Sequence, residues 1–331
     1  VNHSSRSTSS PFGALVDRSL EAGVIGSFTR LGPSIRSRTA HWVAPKPTPG
    51  RVVVVTGASS GLGKQAAFEL AALECHVIIV GRNQARLDAV AANITASGGS
   101  VAREQADLAD LNQTVALADR LSSNYDAIDV LINNAGALLA SHTTTPQGFE
   151  TTLAVHLLSP FVLTTRLANV MKQADQSKVI TMTSGGMYSE AFDLAHLEMD
   201  PTSYKGSVAY ARAKRAQVVL NVAWQRHELP HHRTFCAVHP GWTATPGISE
   251  SLPIFQKVMG PLLRSPQQGV DTLVWLATQA PGEPEGGQLW LDREPRSLYR
   301  LKKTRVNEHT LARQGDDLLA YLTHVTAAYL G

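Results

Sequence analysis

Tyr210 and Lys214 stand four residues apart in Tyr210-Ala211-Arg212-Ala213-Lys214. On a helix that spacing puts phenol and ammonium on one face. A phenol has a reference pKa of ~10, and a cation ~4 Å away at an effective dielectric of about 20 is worth ~4 kcal/mol, or about three pKa units. A phenol brought near neutrality can serve as a general acid or base. Surface Tyr/Lys pairs are common, so the pair needs company. Ser184 supplies some: Thr181-Met182-Thr183-Ser184-Gly185-Gly186 closes an apolar run with a hydroxyl beside glycines, although turn-forming serines read the same way. A third group is Thr56-Gly57-Ala58-Ser59-Ser60-Gly61-Leu62-Gly63, set between Val52-Val53-Val54-Val55 and Lys64-Gln65-Ala66-Ala67-Phe68-Glu69-Leu70. This is strand, glycine loop, helix. Free amides and the dipole at the start of such a helix suit a pyrophosphate, with Gly57, Ser59, Ser60, Gly61, Leu62 and Gly63 as candidate contacts. The Gly-x-x-x-Gly-x-Gly spacing departs from the common dinucleotide fingerprint, and an ordinary βα turn would also produce it.

The elements that must position these groups alternate along the chain. Strands are expected at Val52–Thr56, Val77–Val80, Val101–Gln105, Val130–Asn133, Val179–Met182, Thr234–Val238 and Gln288–Leu291. Helices are expected at Gly63–Leu73, Gln84–Ser97, Leu111–Asn124, Phe149–Lys172, Val208–His227 and Gln267–Thr278. Repeated β-α-β order with apolar strands predicts an α/β fold, a Rossmann-type doubly wound and mostly parallel sheet of about seven strands flanked by helices. Ligands of such sheets bind at the carboxyl ends of the strands. The domain spans residues 51–291, between an extension at 1–50 and a tail at 292–331.

The strand ends carry further candidates. Arg82 follows Val80-Gly81, where doubly wound folds that bind NAD place a carboxylate on the ribose; arginine there favours the 2′-phosphate of NADP, with a solvated loop arginine as the alternative. Asp107, followed by Leu108, could accept from an adenine amino group or cap a helix. Asn133-Asn134-Ala135-Gly136 offers small residues beside a nucleotide, or only a turn. In His239-Pro240-Gly241-Trp242-Thr243-Ala244-Thr245-Pro246, Thr243 and Thr245 could bond a carboxamide. Beyond it Ile248, Leu252, Ile254, Phe255, Val258, Met259, Leu262 and Leu263 read equally as an apolar lid or as core.

A chain of 331 residues with 43% hydrophobic content can bury a sizeable core. The net charge of +3 does not suggest nucleic-acid binding, and no zinc-like Cys/His spacing appears, so no metal is expected. No apolar run is long enough to span a bilayer. Cys75 and Cys236 sit in separate apolar strands and read as buried free thiols of a reducing compartment. Val1 to Ser10 is polar and reads as disordered. Leu15, Val16, Leu20, Val24, Ile25, Phe28 and Leu31 then recur at roughly helical spacing, followed by Arg30, Arg36 and Arg38 and a stiff linker through Pro45, Pro47 and Pro49. An amphipathic helix packed on the domain and a basic membrane-surface helix both fit. The ending Asp316-Asp317-Leu318-Leu319 to Tyr329-Leu330 reads as another amphipathic helix.

Thr56-Gly57-x3-Gly61-x-Gly63, Asn133-Asn134-Ala135-Gly136, Ser184, Tyr210-x3-Lys214 and Pro240-Gly241 occur in the order found in the short-chain dehydrogenase/reductase superfamily, which residues 51 to 291 resemble. Ser184-Gly185-Gly186-Met187, His239-Pro240-Gly241-Trp242 and Leu291-Asp292-Arg293 look most like its dehydrogenase/reductase member 12 branch. The resemblance implies a carbonyl/alcohol oxidoreductase in which Tyr210 exchanges a proton with the substrate oxygen, Ser184 hydrogen-bonds that oxygen, and Lys214 binds the nicotinamide ribose and lowers the phenol's pKa. It further implies that Asn134, Ala135 and Gly136 line the adenosine side and that Pro240, Gly241, Thr243 and Thr245 meet the nicotinamide end. His156 stands where relatives carry an asparagine that supports a proton-relay water, and an imidazole titrates near neutrality. The long Ser184–Tyr210 interval, with Phe192, Leu194, Leu197 and Met199, resembles retinol-dehydrogenase-like relatives and could wall the substrate site. In relatives the helices at 149–172 and 208–227 often build a dimer interface, implying a homodimer or homotetramer. The resulting expectation is a cytoplasmic enzyme, open to peripheral membrane contact, that prefers NADP to NAD and acts on an apolar carbonyl or alcohol. A nucleotide-binding sensor or scaffold of the same fold is the alternative.

Overall fold

The valine run becomes β1 (Val52–Thr56), and its side chains enter opposite faces of the sheet in turn. In the computed structural model, which describes residues 11–228, 233–245 and 257–331, Val53 and Val55 pack with α4 (Gly61–Ala72), α5 (Gln84–Ala96) and α11 (Pro266–Thr278). Val54 packs on the other face with α6 (Leu111–Asn124) and α8 (Ser159–Arg166). With both faces covered every position needs an apolar side chain, which explains a continuous rather than alternating run. Each buried valine contributes on the order of 1.5–3 kcal/mol.

The other strands are β2 (His76–Gly81), β3 (Ser100–Gln105), β4 (Val130–Asn133), β5 (Ser177–Met182), β6 (Arg233–Val238), β7 (Leu289–Leu291) and β8 (Glu294–Arg296). Their order is β3-β2-β1-β4-β5-β6-β7-β8. All neighbours are parallel except β7 and β8. The order reverses between β1 and β4, which opens a crevice at the carboxyl ends there. β8 was not expected: it is three residues long and contains Pro295, which only an edge strand tolerates. It returns through Asp292 and Arg293, both at positive φ (54° and 58°), as a two-residue hairpin turn requires.

The helix expected over 149–172 is broken into α7 (Thr151–Leu153), a π turn at Ala154–Leu158, α8 and α9 (Ala168–Met171). The next helix, α10 (Gly206–His227), follows expectation. The tail supplies α12 (Glu308–Val325) and α13 (Ala327–Leu330). Leu318 and Leu322 of α12 pack against Ala213, Ala216, Val219 and Leu220 of α10, alongside Phe161 of α8. A Cβ on Gly315 would lie 2.8 Å from that of Ala223, so glycine sets how closely α12 approaches. The chain's own tail thus covers part of the surface of α8 and α10, the helices expected to build a dimer interface. Leu197 joins the same cluster, and Phe192 and Leu194 pack against it.

The single N-terminal helix expected is three: α1 (Pro11–Ala22), α2 (Val24–Phe28) and α3 (Leu31–Thr39), with Gly23 beginning the break. Phe28 and Arg36 are buried against the domain, while Leu15, Val24, Ile25 and Leu31 remain exposed. The Val1–Ser10 expectation and the stretch from Ile248 to Phe255 lie outside the described residues. Cys75 and Cys236 are free and buried, and burial pushes the Cys236 thiol up to about 12.

Among the described residues two histidines are wholly enclosed, His156 in the π turn and His239 beyond β6. Burial lowers the His156 pKa to about 3, with the nearby Lys214 charge adding to the effect; burial and then Arg264 and Arg300 hold His239 well below its usual range. The expectation that His156 titrates near neutrality is thus corrected: with no water to solvate an imidazolium, the ring stays neutral. An unfolded histidine binds its proton near pH ~6.5, so below that value the unfolded chain takes up protons that the native chain refuses. For His156, stability is fully present above about pH 6.5 and is lost as pH falls towards 3, at up to about 1.4 kcal/mol per pH unit. Urea unfolding of His156→Gln should show a shallower loss between pH 6.5 and 4 than wild type; parallel pH dependences would contradict this account.

Candidate active site

The glycine loop is held from below. The Thr56 hydroxyl donates to Ile132 O (3.1 Å) and accepts from the amides of Asn134 (3.0 Å) and Ala135 (3.1 Å), while Asn134 Nδ2 donates to Thr56 O (2.8 Å). Gly57 is at φ 67°, and a Cβ on it would stand 2.8 Å from Ala135 Cα; one on Gly63 would run into the Asn134 side chain. The carboxamide of Asn134 is therefore committed beneath the loop, tying β1 to β4. Gly61, at φ 56°, opens α4 with clear space where a side chain would be, and Ser60 makes no side-chain cap. Uncapped first-turn amides beside open space fit a pyrophosphate.

Around this loop the expected contacts separate. Gly81 abuts Ser59: a Cβ on it would lie 3.4 Å from Ser59 Oγ. Arg82, one residue on, is exposed and its guanidinium has no acidic partner among the described residues. Asp107 Oδ1 accepts from the Ala109 amide (3.0 Å), and the N-cap of α6 is Asp110 instead. Leu108 sends its side chain into the core, while its carbonyl accepts from Ser159 Oγ (2.5 Å). At the far side of the crevice the Thr243 hydroxyl donates to Pro240 O (3.0 Å), and Gly241, at φ 71°, leaves room that the Arg264 guanidinium fills. Thr245 is half-buried at the end of that loop.

Ser184, Tyr210, Lys214 and His156 come together at the carboxyl end of β5. Ser184 accepts from the Gly186 amide (3.3 Å), and its hydroxyl lies close enough to the Tyr210 phenol to pull that phenol's pKa down. The phenol ring meets the His156 ring edge to face at 5.3 Å, and Lys214 Nζ lies 5.5 Å from its centroid. His156 Nε2 is 2.9 Å from Ala137 O, and a Cβ on Gly136 would stand 2.6 Å from its Cε1. Lys214 is buried and donates to Met182 O (2.8 Å); loss of water lowers its pKa to about 7. Burial pushes the Tyr210 phenol up, against a smaller downward pull from the neighbouring Ser184. The three-unit depression expected from the Lys214 charge is therefore not found, because burial of the phenol itself disfavours the phenolate.

Several positioning residues were missed. Thr183 Oγ1 donates to Lys214 O (2.9 Å), and Gln217 Nε2 donates to His156 O (2.8 Å). Gln217 was within reach of sequence reasoning, since it lies three residues beyond Lys214 on the same helix face. The Thr56 clamp had no such signal.

The profile of the short chain dehydrogenase family matches residues 51–252. Among curated relatives, the human dehydrogenase/reductase SDR family member 12 is 36% identical over 255 residues, covering 76% of this chain and 79% of that protein. Bovine retinol dehydrogenase 12 is 30% identical over 268 residues, covering 79% and 84%. A crystal structure from Beutenbergia cavernae, with NADP bound at low occupancy, is 26% identical, superposes with a TM-score of 0.62 and covers 74% of this chain and 96% of that one. With its sheet order, glycine loop and clustered serine, tyrosine and lysine, the chain belongs to the short chain dehydrogenase family of oxidoreductases.

Proposed function

We propose that this protein is an NADP-preferring oxidoreductase that interconverts an apolar carbonyl and its alcohol, with Ser184, Tyr210 and Lys214 as its catalytic residues. The observation that carries the reading is the grouping of Ser184, Tyr210 and Lys214, with Lys214 Nζ 5.5 Å from the phenol ring centroid, at the same rim of the sheet as the glycine loop. The amides from Ser59 to Gly63 would hold the pyrophosphate, Arg82 the 2′-phosphate, and the loop from Pro240 to Thr245 the nicotinamide end. A nicotinamide nucleotide supplies a hydride to the carbonyl carbon. Ser184 orients the substrate oxygen, and Tyr210 transfers its phenolic proton to that oxygen as charge develops there. A phenol raised above its ordinary pKa is protonated at neutral pH, which suits the reductive direction. Lys214, close to half-charged near pH 7, is poised to pass a proton on as its surroundings change. His156 stays neutral and serves as an edge-to-face support for the Tyr210 ring rather than as a titrating relay.

Support for an apolar substrate comes from the retinol dehydrogenases among the relatives. Support for a membrane-surface habit comes from exposed Leu15, Val24, Ile25 and Leu31 in a segment that also carries Arg18, Arg30 and Arg38. No helix among the described residues is long and apolar enough to cross a membrane.

Three measurements test the reading. Intrinsic tryptophan fluorescence should report NADPH binding at least tenfold tighter than NADH, with Arg82→Ala bringing NADPH to the NADH level; no binding of either at millimolar concentration would leave only a scaffold of this fold. In a panel of long-chain aldehydes and aromatic ketones, Tyr210→Phe should lower turnover by two orders of magnitude or more, and Ser184→Ala by at least ten-fold, with NADPH affinity kept. Retained turnover in Tyr210→Phe would refute its role. Phosphatidylserine vesicles should co-sediment the wild type and release a Leu15→Glu/Ile25→Glu double variant; equal pelleting would remove the membrane proposal.

A further inference from the structure

The N-terminal segment reaches the candidate active site. Phe28, at the end of α2, is 3% exposed and meets His239 edge to face with ring centroids 4.3 Å apart, Trp242 at 5.7 Å and Tyr188 at 6.0 Å. Gly185, the residue after Ser184, lies against the same ring: a Cβ there would stand 3.0 Å from Phe28 Cε2 and 2.9 Å from His239 Nε2. Phe28 is thus wedged between the turn that carries Ser184 and the loop that follows β6. Its carbonyl accepts from the Trp242 amide (2.7 Å) and from Arg264 Nε (3.0 Å), so main chain as well as side chain joins the two.

A buried ionic cluster holds the wedge in place. Asp292, in the β7–β8 turn, accepts from Arg264 at 2.6 and 2.9 Å and from Arg36 of α3 at 2.6 Å, and all three side chains are at most 3% exposed. Arg264 also donates to Ser27 O (2.6 Å). Arg36 continues to Asp17 (2.6 Å) and Glu21 (3.1 Å) of α1, and Arg296 and Arg300 close the ring on the same two acids. Arg264 fills the space above Gly241, so the clamp that secures the segment also bears on the loop expected at the nicotinamide end.

We propose that α1–α3 form a working part of the active site, with Phe28 as a positioning residue that holds the Ser184–Gly186 turn in register with the Gly241–Thr243 loop. The proposal rests on the reading of Ser184 given above. Phe28 acts through its contacts with Gly185 and Trp242.

Hydrogen–deuterium exchange of the full chain tests the placement without reference to turnover. In Phe28→Ala, amides of Gly185–Tyr188 and Trp242–Thr243 should exchange at least tenfold faster, while those of β1 and α4 keep the wild-type rate and NADPH affinity stays within twofold. Turnover of the best aldehyde in the panel should fall at least tenfold in kcat with KM little changed, and Phe28→Leu should recover part of both effects. Wild-type exchange at both loops, or faster exchange with wild-type kcat in a protein whose Ser184→Ala variant is impaired, would overturn the proposal. If Phe28→Ala fails to fold, Phe28→Leu and Arg36→Gln carry the same readout. A Ser184→Ala variant with wild-type turnover would instead defeat the catalytic reading, and the exchange rates would still decide the positioning.

Discussion

Two reciprocal hydrogen bonds between β5 and α10 hold the candidate site together. Lys214 Nζ donates to Met182 O, and Thr183 Oγ1 donates to Lys214 O, so each element contributes one side chain and one carbonyl. Ser184 is the next residue on one side, and Tyr210 lies one helical turn away on the other. The relative placement of hydroxyl and phenol follows from this stitch more than from any contact between them. The stitch works because it is out of water: an ammonium or a carbonyl left without its partner there would cost on the order of 1–3 kcal/mol or more, so alternative registers of α10 are disfavoured.

The same exclusion of water organises the ends of the chain. A sheet with helices on both faces leaves open its edges and the outer sides of those helices. Here the tail covers one and the N-terminal segment the other: α12 seals α10, and α1–α3 seal the end of the sheet at β7 and β8. The chemistry of the two seals differs. The first is apolar and forgiving of small shifts, whereas the second depends on a buried aspartate between two guanidinium groups. Buried ion pairs contribute little net stability, because desolvation offsets attraction, but each demands its partners in one geometry. The N-terminal seal is thus suited to specifying where a wedge sits.

Much of this was readable in the residues, and the limits of that reading have physical causes. Val52–Val55 declared a strand covered on both sides, and the glycine loop, Ser184 and Tyr210-x3-Lys214 identified the rim where they meet, because these features are local or repeat with the period of their element. β8 escaped because Glu294-Pro295-Arg296 has no strand-like composition; it exists through pairing with β7. The π turn escaped because an extra residue per turn leaves no mark in hydrophobic spacing. The pKa expectation for Tyr210 reversed because it priced a charge–charge attraction and left out desolvation, which depends on tertiary enclosure. The amphipathic pattern of α12 was legible, although the partner of its apolar face, α10, was not. Arg36 is more than two hundred residues from Arg264 and Asp292, which are themselves 28 apart, and nothing in their local context announces a cluster.

The fit of His156 against Gly136 ties the histories of those two positions together. A Cβ at 136 would stand 2.6 Å from the imidazole, so any side chain there collides with the ring while His156 is present. A lineage exchanging this pair for a smaller residue at 156 and a larger one at 136 must shrink the ring first; the opposite order passes through an overpacked intermediate beside the phenol.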